Sequence, residues 1–393
     1  MTLGEQILAQ AAGRESVKVG DQVQITLDWI LLNDAAAHTS IDAVGKTSIE
    51  PSKGKVAVFL DHDTPSGSEA VSLIQRKLIN FAKAHDTIFY NGAGVGYQLM
   101  LDAHVQAKQV VAGCGQHIAV FGAIGALGIK VDPAAMAGAL QTGGISVLVP
   151  QTVKIMLTGQ LQSGVYAKDI ILELIRTVGT EELAGNVLEF IGPAVQTLTL
   201  NDRITICNLV GKTNAVSAVM NLTESADWQE CNANMQLDLS RIRPLIALPD
   251  SFDQIFEVSH LDNIPVNEVF VGGCSGGRIE DLRVAAGIVR GKKVARGVRL
   301  MVAPVTSAVY VQALREGLIT DFIEAGAVVM NQGCSVCWGK SQGIIDTDEV
   351  LVSAGSYNYK GCAGAMTAKV YVASAAIAAN SAVAGFITGP ANN

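Results

Sequence analysis

Charge is scarce in this sequence: Asp, Glu, Lys and Arg make up 16% of 393 residues, against roughly 25% in an average soluble domain. What charge there is sums to −8, and no Lys/Arg-rich run is present. A nucleic-acid surface, which groups cations to neutralise phosphates, is therefore not expected. Apolar runs of about 18 residues, the length a membrane span needs, are also missing. The alanine-rich tail VYVASAAIAANSAVAGFITGP is interrupted by Asn380, Ser381 and Gly385. The first residues, MTLGEQILAQ, carry neither the basic nor the apolar region of a secretory signal. The seven cysteines are an odd number and do not read as a disulfide framework. A reducing cytoplasm is the expected setting.

What remains is apolar and glycine-rich, with 49% hydrophobic residues and 40 glycines. A chain of this length supports two or three domains with a large buried interior. Apolar β-branched runs alternate with segments of helical period, the pattern of α/β layers around mostly parallel sheets. KVAVFLDH, DTIFYNG, KQVVAG, ISVLVP and VKIMLTG read as strands. The stretch from Ser68 to Ala84 reads as an amphipathic helix, with Val71, Ile74, Leu78 and Phe81 on one face. Ala167 to Phe190 reads as helical, LNDRITICNL as a strand, and Leu245 to His260 as a domain connection. VNEVFVGGCSGGRIEDLRVAAGIVRG reads as strand, glycine-rich turn and helix, with Cys274 in the turn. Ligands gather at strand carboxyl ends in such folds, which directs attention to the polar residues there.

Three cysteines stand out: Cys274 in VGGCSGGR, and Cys334 and Cys337 in NQGCSVCWG. Three thiolates from two distant loops suit a metal cluster with one position left open. A lone CxxC is also compatible with a redox dithiol or half a zinc site, but no second CxxC or HxxxH lies at zinc spacing. Cys114, Cys207, Cys231 and Cys362 read as small packing residues. NGAGVGYQ invites a dinucleotide reading and fails it, because Gly92, Gly94 and Gly96 give GxGxG rather than GxGxxG.

The segments LTGQLQSGVYAKDIIL, DRITICN, VGGCSGGRIEDLRVAA, NQGCSVCWG and AANSAVAGFITGP resemble, in order, the signature blocks of the aconitase superfamily. The likeness is nearest to large subunits of the 3-isopropylmalate dehydratase type, and it covers nearly the whole chain. It implies an aconitase-like three-domain α/β/α architecture, divided here at 1–150, 151–250 and 251–393, around a central [4Fe-4S] cluster. Cys274, Cys334 and Cys337 would each hold one iron of that cluster. The fourth iron would bind the substrate hydroxyl and carboxylate during elimination of water. In two-subunit members the base lies on a small swivel-domain partner, so such a partner is expected; the low charge agrees with a sizeable interface.

The same resemblance assigns roles to other positions. Asp61 and His62 match an Asp-His pair expected to orient or protonate the leaving hydroxyl, although His62 also suits a strand cap. Asn208 matches a site residue. Arg278 matches a substrate arginine, with a surface ion pair to Glu280 or Asp281 as its other reading. His38 falls where a donor to substrate is possible, or a satisfied core histidine. Tyr97 replaces a family histidine, and Gly113-Cys114-Gly115-Gln116-His117 replaces a Gly-Asp-Ser-His-Thr block, so His117 substitutes for the lost imidazole if the register slips by one. If the block after DRITICN is gapless, Lys212 stands where an acid is expected. In Ser356-Tyr357-Asn358-Tyr359-Lys360-Gly361-Cys362, Tyr357 and Cys362 occupy positions of arginines that clamp carboxylates.

Two explanations fit this remodelling. In one, the protein is a cluster-dependent hydro-lyase for a small hydroxy acid outside the malate and citrate types, recognised with Tyr97, Gln116, Lys212, Ser356 and Tyr357. In the other, catalysis is lost and the chain serves as a structural or regulatory module. The first is preferred because three cluster ligands, Asp61, His62 and Arg278 all remain.

Overall fold

The computed structural model describes residues 1–44, 55–223, 232–340 and 342–390. Most of its strands lie in three sheets. The first has five parallel strands in the order Ile88–Asn91, Lys55–Leu60, Trp29–Asn33, Val110–Gly113, Leu127–Lys130. Trp29–Asn33 at its centre is buried along its whole length, as expected of a parallel strand covered on both faces. The second has four parallel strands: Ser217–Met220, Val187–Ile191, Thr152–Thr158 and Met235–Asp238. The third has seven, ordered Ile255–Glu257, Leu245–Ala247, Lys369–Ala373, Val350–Ser353, Glu268–Gly272, Arg299–Ala303, Val328–Val329. It is parallel except at Leu245–Ala247, which runs antiparallel to both its neighbours. A separate antiparallel pair joins Gln22–Thr26 to Gly144–Leu148.

All five segments read first as strands contain one, and the amphipathic helix spans Glu69–Ala84 with Ser68 as its N-cap and Leu78 and Phe81 buried. Three expectations are corrected. LNDRITICNL is a helix, Leu200–Val210, started by a Thr199–Asp202 capping box. Its residues from Ile204 to Val210 are buried all round, so no polar stripe betrayed the helical period. The stretch Ala167 to Phe190 is helical only to Leu183: helix Ala167–Val178 stops at Gly179, whose φ is 86°, and the chain re-enters the second sheet as Val187–Ile191. Leu245 to His260 is a hairpin built into the third sheet rather than a free connection.

The first two sheets share one apolar core, which includes Phe59, Phe121, Phe190 and Ile206. A short 3-10 segment, Ile118–Ile124, is wedged between them and contacts helix Leu200–Val210 and strand Ser217–Met220. Glycines allow the wedge. A Cβ on Gly122 would lie 2.1 Å from the Ala218 carbonyl oxygen, and one on Gly128 would lie 1.9 Å from that of Ile118. Both obstacles are backbone, which cannot swing aside. We therefore expect Gly122→Ala to destabilise by at least the roughly 1–3 kcal/mol typical of overpacking, seen as a lower urea midpoint at unchanged slope. An unchanged midpoint would show that the wedge is loose.

Candidate active site

The carboxyl ends of the first and third sheets face each other; several candidate residues project from the loops between them, and Asn208 and Lys212 come from helix Leu200–Val210 and the turn that follows it. The contact is backbone to backbone. Val95 N–H donates to the Val305 carbonyl (2.9 Å) and Ser307 N–H to that of Ala93 (2.8 Å). Gly94, with φ of 123°, approaches so closely that a Cβ would lie 2.4 Å from Thr306 Cα. Gly96 N–H donates to Asp61 Oδ2 (2.8 Å), and a Cβ there would enter the Phe59 ring. The glycines of NGAGVGYQ therefore serve close packing between sheets.

Cys274 lies in the turn after strand Glu268–Gly272, and Cys334 and Cys337 in the loop after Val328–Val329. Ser356 sits between two of the thiols: its Oγ is 3.8 Å from Cys274 Sγ and 3.7 Å from Cys337 Sγ, and its N–H points to Cys337 Sγ at 3.4 Å. The Asn208 amide oxygen lies 3.6 Å from Cys274 Sγ. Cys334 N–H donates to the Asp61 carbonyl (3.3 Å), which ties the CxxC loop to the first sheet. Burial pushes the Cys274 thiol up, and raises that of Cys334 to about 12. Soft donors held in this way suit a cation that would remove their protons, as an iron-sulfur cluster does. The donor set therefore fits the cluster expected from the sequence.

Next to Cys334 stands a proton-holding group. His62 Nδ1 lies 2.6 Å from Asp61 Oδ1 and 3.3 Å from Asp34 Oδ1. Burial works against charge on His62, but Cys334 and Asp61 beside it and hydrogen bonds to both carboxylates push its pKa well above 6.5. Burial likewise opposes ionisation of Asp34, yet His62 and the N–H groups of Asp61 and His62 bring its carboxyl down to about 2. Sequence reasoning overlooked Asp34. Its signal was its place directly after the central strand in WILLND, at a carboxyl end.

On the other side, His117 Nε2 lies 3.2 Å from Ser356 Oγ and its Nδ1 lies 3.2 Å from the Asn208 carbonyl. Its ring meets Tyr357 edge-on at 5.2 Å. Burial, and then the charge of Lys212, lower its pKa to about 3. Lys212 Nζ sits over the Tyr357 ring, 3.6 Å from its centre, and donates to Gln116 Oε1 at 3.1 Å. The fold thus assembles Cys274, Cys334, Cys337, Asp61, His62, Gln116, His117, Asn208, Lys212, Ser356 and Tyr357 in one region.

The remaining candidates are placed differently. Arg278 is only 4% exposed and its guanidinium donates to Asn201 Oδ1, the Cys274 carbonyl and Thr205 Oγ1, with Asp281 at 3.5 Å. In this structure it braces the cysteine turn, and Asp281, one of its two expected surface partners, is a real neighbour. Tyr97 is buried, its hydroxyl accepting from Gly115 N–H at 3.1 Å. His38 is in helix Ala37–Val44, but its side chain lies outside the described residues. Cys231 also lies outside them. Cys207 and Cys362 are buried in apolar surroundings, as expected, and Cys114 is half-buried. A second residue missed in the sequence is Lys168, 3% exposed, whose ammonium donates to the carbonyls of Ala354 and Gly355 (2.9 Å for the latter) and to Ser275 Oγ (3.4 Å).

Paired parallel sheets with thiols and a buried Asp-His pair between their carboxyl ends define a metal-cluster lyase type of site. Comparison with known proteins places it more narrowly. The chain matches the Aconitase family (aconitate hydratase) over residues 39–228 and 212–385. It is 33% identical to 3-isopropylmalate dehydratase large subunit 2 of Archaeoglobus fulgidus, covering 99% of this chain and 98% of that protein. Against the homoaconitase large subunit of Thermus thermophilus the identity is 32%, over 99% and 97% respectively. The crystal structure of Thermococcus kodakaraensis aconitase X in its holo-form shares the fold at 10% identity, with a TM-score of 0.51 over 84% of this chain and 83% of that one. This chain belongs to the aconitase family, and so to a family of hydro-lyases whose members carry a [4Fe-4S] cluster. Among the described residues, no helix is long and apolar enough to cross a membrane.

The buried, neutral His117 sets a pH dependence. Its folded pKa is about 3 and its ordinary value 6.5, so between these values the unfolded chain binds a proton that the folded chain does not. Stability is then complete above about 6.5 and is lost as pH falls toward 3. Asp34, lowered to about 2 from 3.8, loses its contribution only further down, as pH falls through that range. We expect His117→Gln to flatten the fall in urea midpoint between pH 6.5 and 4. Equal slopes in the two proteins would show that His117 is charged in the fold.

Proposed function

We propose that this chain is the large subunit of an iron-sulfur-dependent hydro-lyase that acts, with a separate small swivel-domain subunit, on a small hydroxy acid unlike malate or citrate. The observation that carries this reading is the meeting of three thiols with a doubly held His62. When bound at Cys274, Cys334 and Cys337, a [4Fe-4S] cluster with one iron free of cysteine supplies a Lewis acid for the departing hydroxide. Asn208 and Ser356 steady the thiols. Asp34 and Asp61 fix the His62 ring through Nδ1 and keep it protonated, so that it delivers a proton to the hydroxyl oxygen as the C–O bond breaks and water leaves. The proton on the neighbouring carbon goes to a base on the partner. Relatives named as large subunits support that partner.

The departure in substrate rests on Tyr357, whose ring replaces an expected guanidinium beside the thiols, and on Cys362, which is 3% exposed and brings no charge. Arginines at these positions would anchor carboxylates in pairs; a phenol and a buried thiol bind them weakly or not at all. Anaerobic purification with the partner should give roughly four iron and four sulfide per chain and an EPR signal on reduction. Cys334→Ser should lose both that iron and the dehydration of hydroxy acids. Colourless wild-type protein, or full activity in Cys334→Ser, would instead support a regulatory module.

A further inference from the structure

Three long cations, Lys168, Arg278 and Lys212, lie near enough to Cys274 to act on it electrostatically. Two of them are committed. Lys168 gives its ammonium to two carbonyls and a hydroxyl, and each nitrogen of the Arg278 guanidinium has a protein partner. Both side chains are more than nine-tenths buried, so neither is positioned to turn toward a ligand. Lys212 differs. It is half-buried, and among the described residues its one hydrogen bond goes to Gln116, an exposed side chain.

The position of Lys212 is nevertheless built. Helix Leu200–Val210 presents Asn208 to Cys274, and Lys212 follows four residues later, in the short 3-10 turn Gly211–Thr213 that continues the helix. Gly211 makes this turn possible, since a Cβ there would lie 2.1 Å from the Gln116 carbonyl oxygen. The platform beneath the ammonium is equally fixed. Tyr357 is held edge-on by His117 at 5.2 Å and by Tyr359 at 5.5 Å, and Tyr359 is 50% exposed. Lys212 covers a face of this ring. A carboxylate satisfies an ammonium better than a ring face and an exposed amide do. Once the ammonium is drawn off, the uncovered face of Tyr357 is free to stack a flat group.

Resting on the hydro-lyase reading, we propose that Lys212 is the specificity-determining anchor of this site. It leaves the Tyr357 ring for the single carboxylate of a hydroxy acid whose aromatic or otherwise unsaturated portion then takes its place on that ring. A second carboxylate finds Lys168 and Arg278 already engaged with protein acceptors and would meet the phenol rings instead.

3-Phenyllactate and malate serve as probes, titrated calorimetrically against the cluster-loaded chain with its partner and against the same complex after iron removal. Lys212 and Tyr357 are held by protein contacts alone, so the iron-free arm reads the anchor even if the cluster reading fails. Phenyllactate should bind at least about tenfold more tightly than malate in both arms. Lys212→Met should weaken it by about tenfold or more, the usual effect of losing a charged hydrogen bond. Lys212→Arg should retain affinity within about threefold, and Tyr357→Leu should weaken phenyllactate more than malate. Iron and sulfide content should be the same in Lys212→Met as in the wild type, which separates anchoring from cluster support. Malate binding as tightly as phenyllactate, no binding of either, or unchanged affinity in Lys212→Met would overturn the proposal.

Discussion

Everything at this site depends on two largely parallel sheets approaching carboxyl end to carboxyl end closely enough for direct backbone contact at Gly94. Gly94 against Thr306, and the Cys334 N–H on the Asp61 carbonyl, set the distance. A side chain at Gly94 would separate the sheets by its own thickness, and the thiols would no longer reach the Asp-His pair. Polar side chains reinforce the join: Gln332 Nε2 donates to the Gly92 carbonyl at 2.6 Å, and Trp338 Nε1 to Asp63 Oδ2 at 2.8 Å. Backbone groups pair across this seam at Val95–Val305, Ser307–Ala93 and Cys334–Asp61, as groups withdrawn from water must. The same glycines that fail the dinucleotide pattern are therefore what lets the catalytic loops meet.

Charge is sparse in the sequence because most of the chain is interior, and several of the charges buried near the seam brace loops. Arg278 ties the Cys274 carbonyl to Asn201 and Thr205 of the neighbouring helix, and Lys168 collects the carbonyls that precede Ser356. Each ammonium or guanidinium satisfies carbonyls that tight glycine turns leave without backbone partners. Truncating such a group would leave those acceptors buried and unpaired, which costs more than the hydrogen bonds themselves contribute.

The legible parts of the fold were those where one period dominated. KVAVFLDH read as a strand from its apolar run, and VNEVFVGGCSGGRIEDLRVAAGIVRG as strand, glycine-rich turn and helix. LNDRITICNL misled because a helix buried on every side shows no polar stripe, and its β-branched residues then read as strand. The thiols stood out through cysteine spacing, a local signal, and Asp61-His62 through the resemblance to the aconitase superfamily. Asp34 and Lys168 were not, since their roles come from chain segments 27 to 187 residues away. Arg278 was legible as a position and not as a role: sequence cannot show that its nitrogens are already engaged.

The site holds two histidines whose surroundings drive them in opposite directions. His62, between two carboxylates and beside a thiol, keeps its proton; His117, between a carbonyl, a serine hydroxyl and the Lys212 ammonium, cannot hold one near neutral pH. Burial opposes charge on both rings, so it cannot be what separates them. The carboxylates Asp34 and Asp61 offset burial at His62, whereas at His117 the Lys212 ammonium adds to it. An acid at that position would tend to protonate His117 and give the pocket a second proton donor. With lysine there, His117 is a neutral wall against Tyr357 and Ser356, and in the proposed reaction proton delivery would fall to His62.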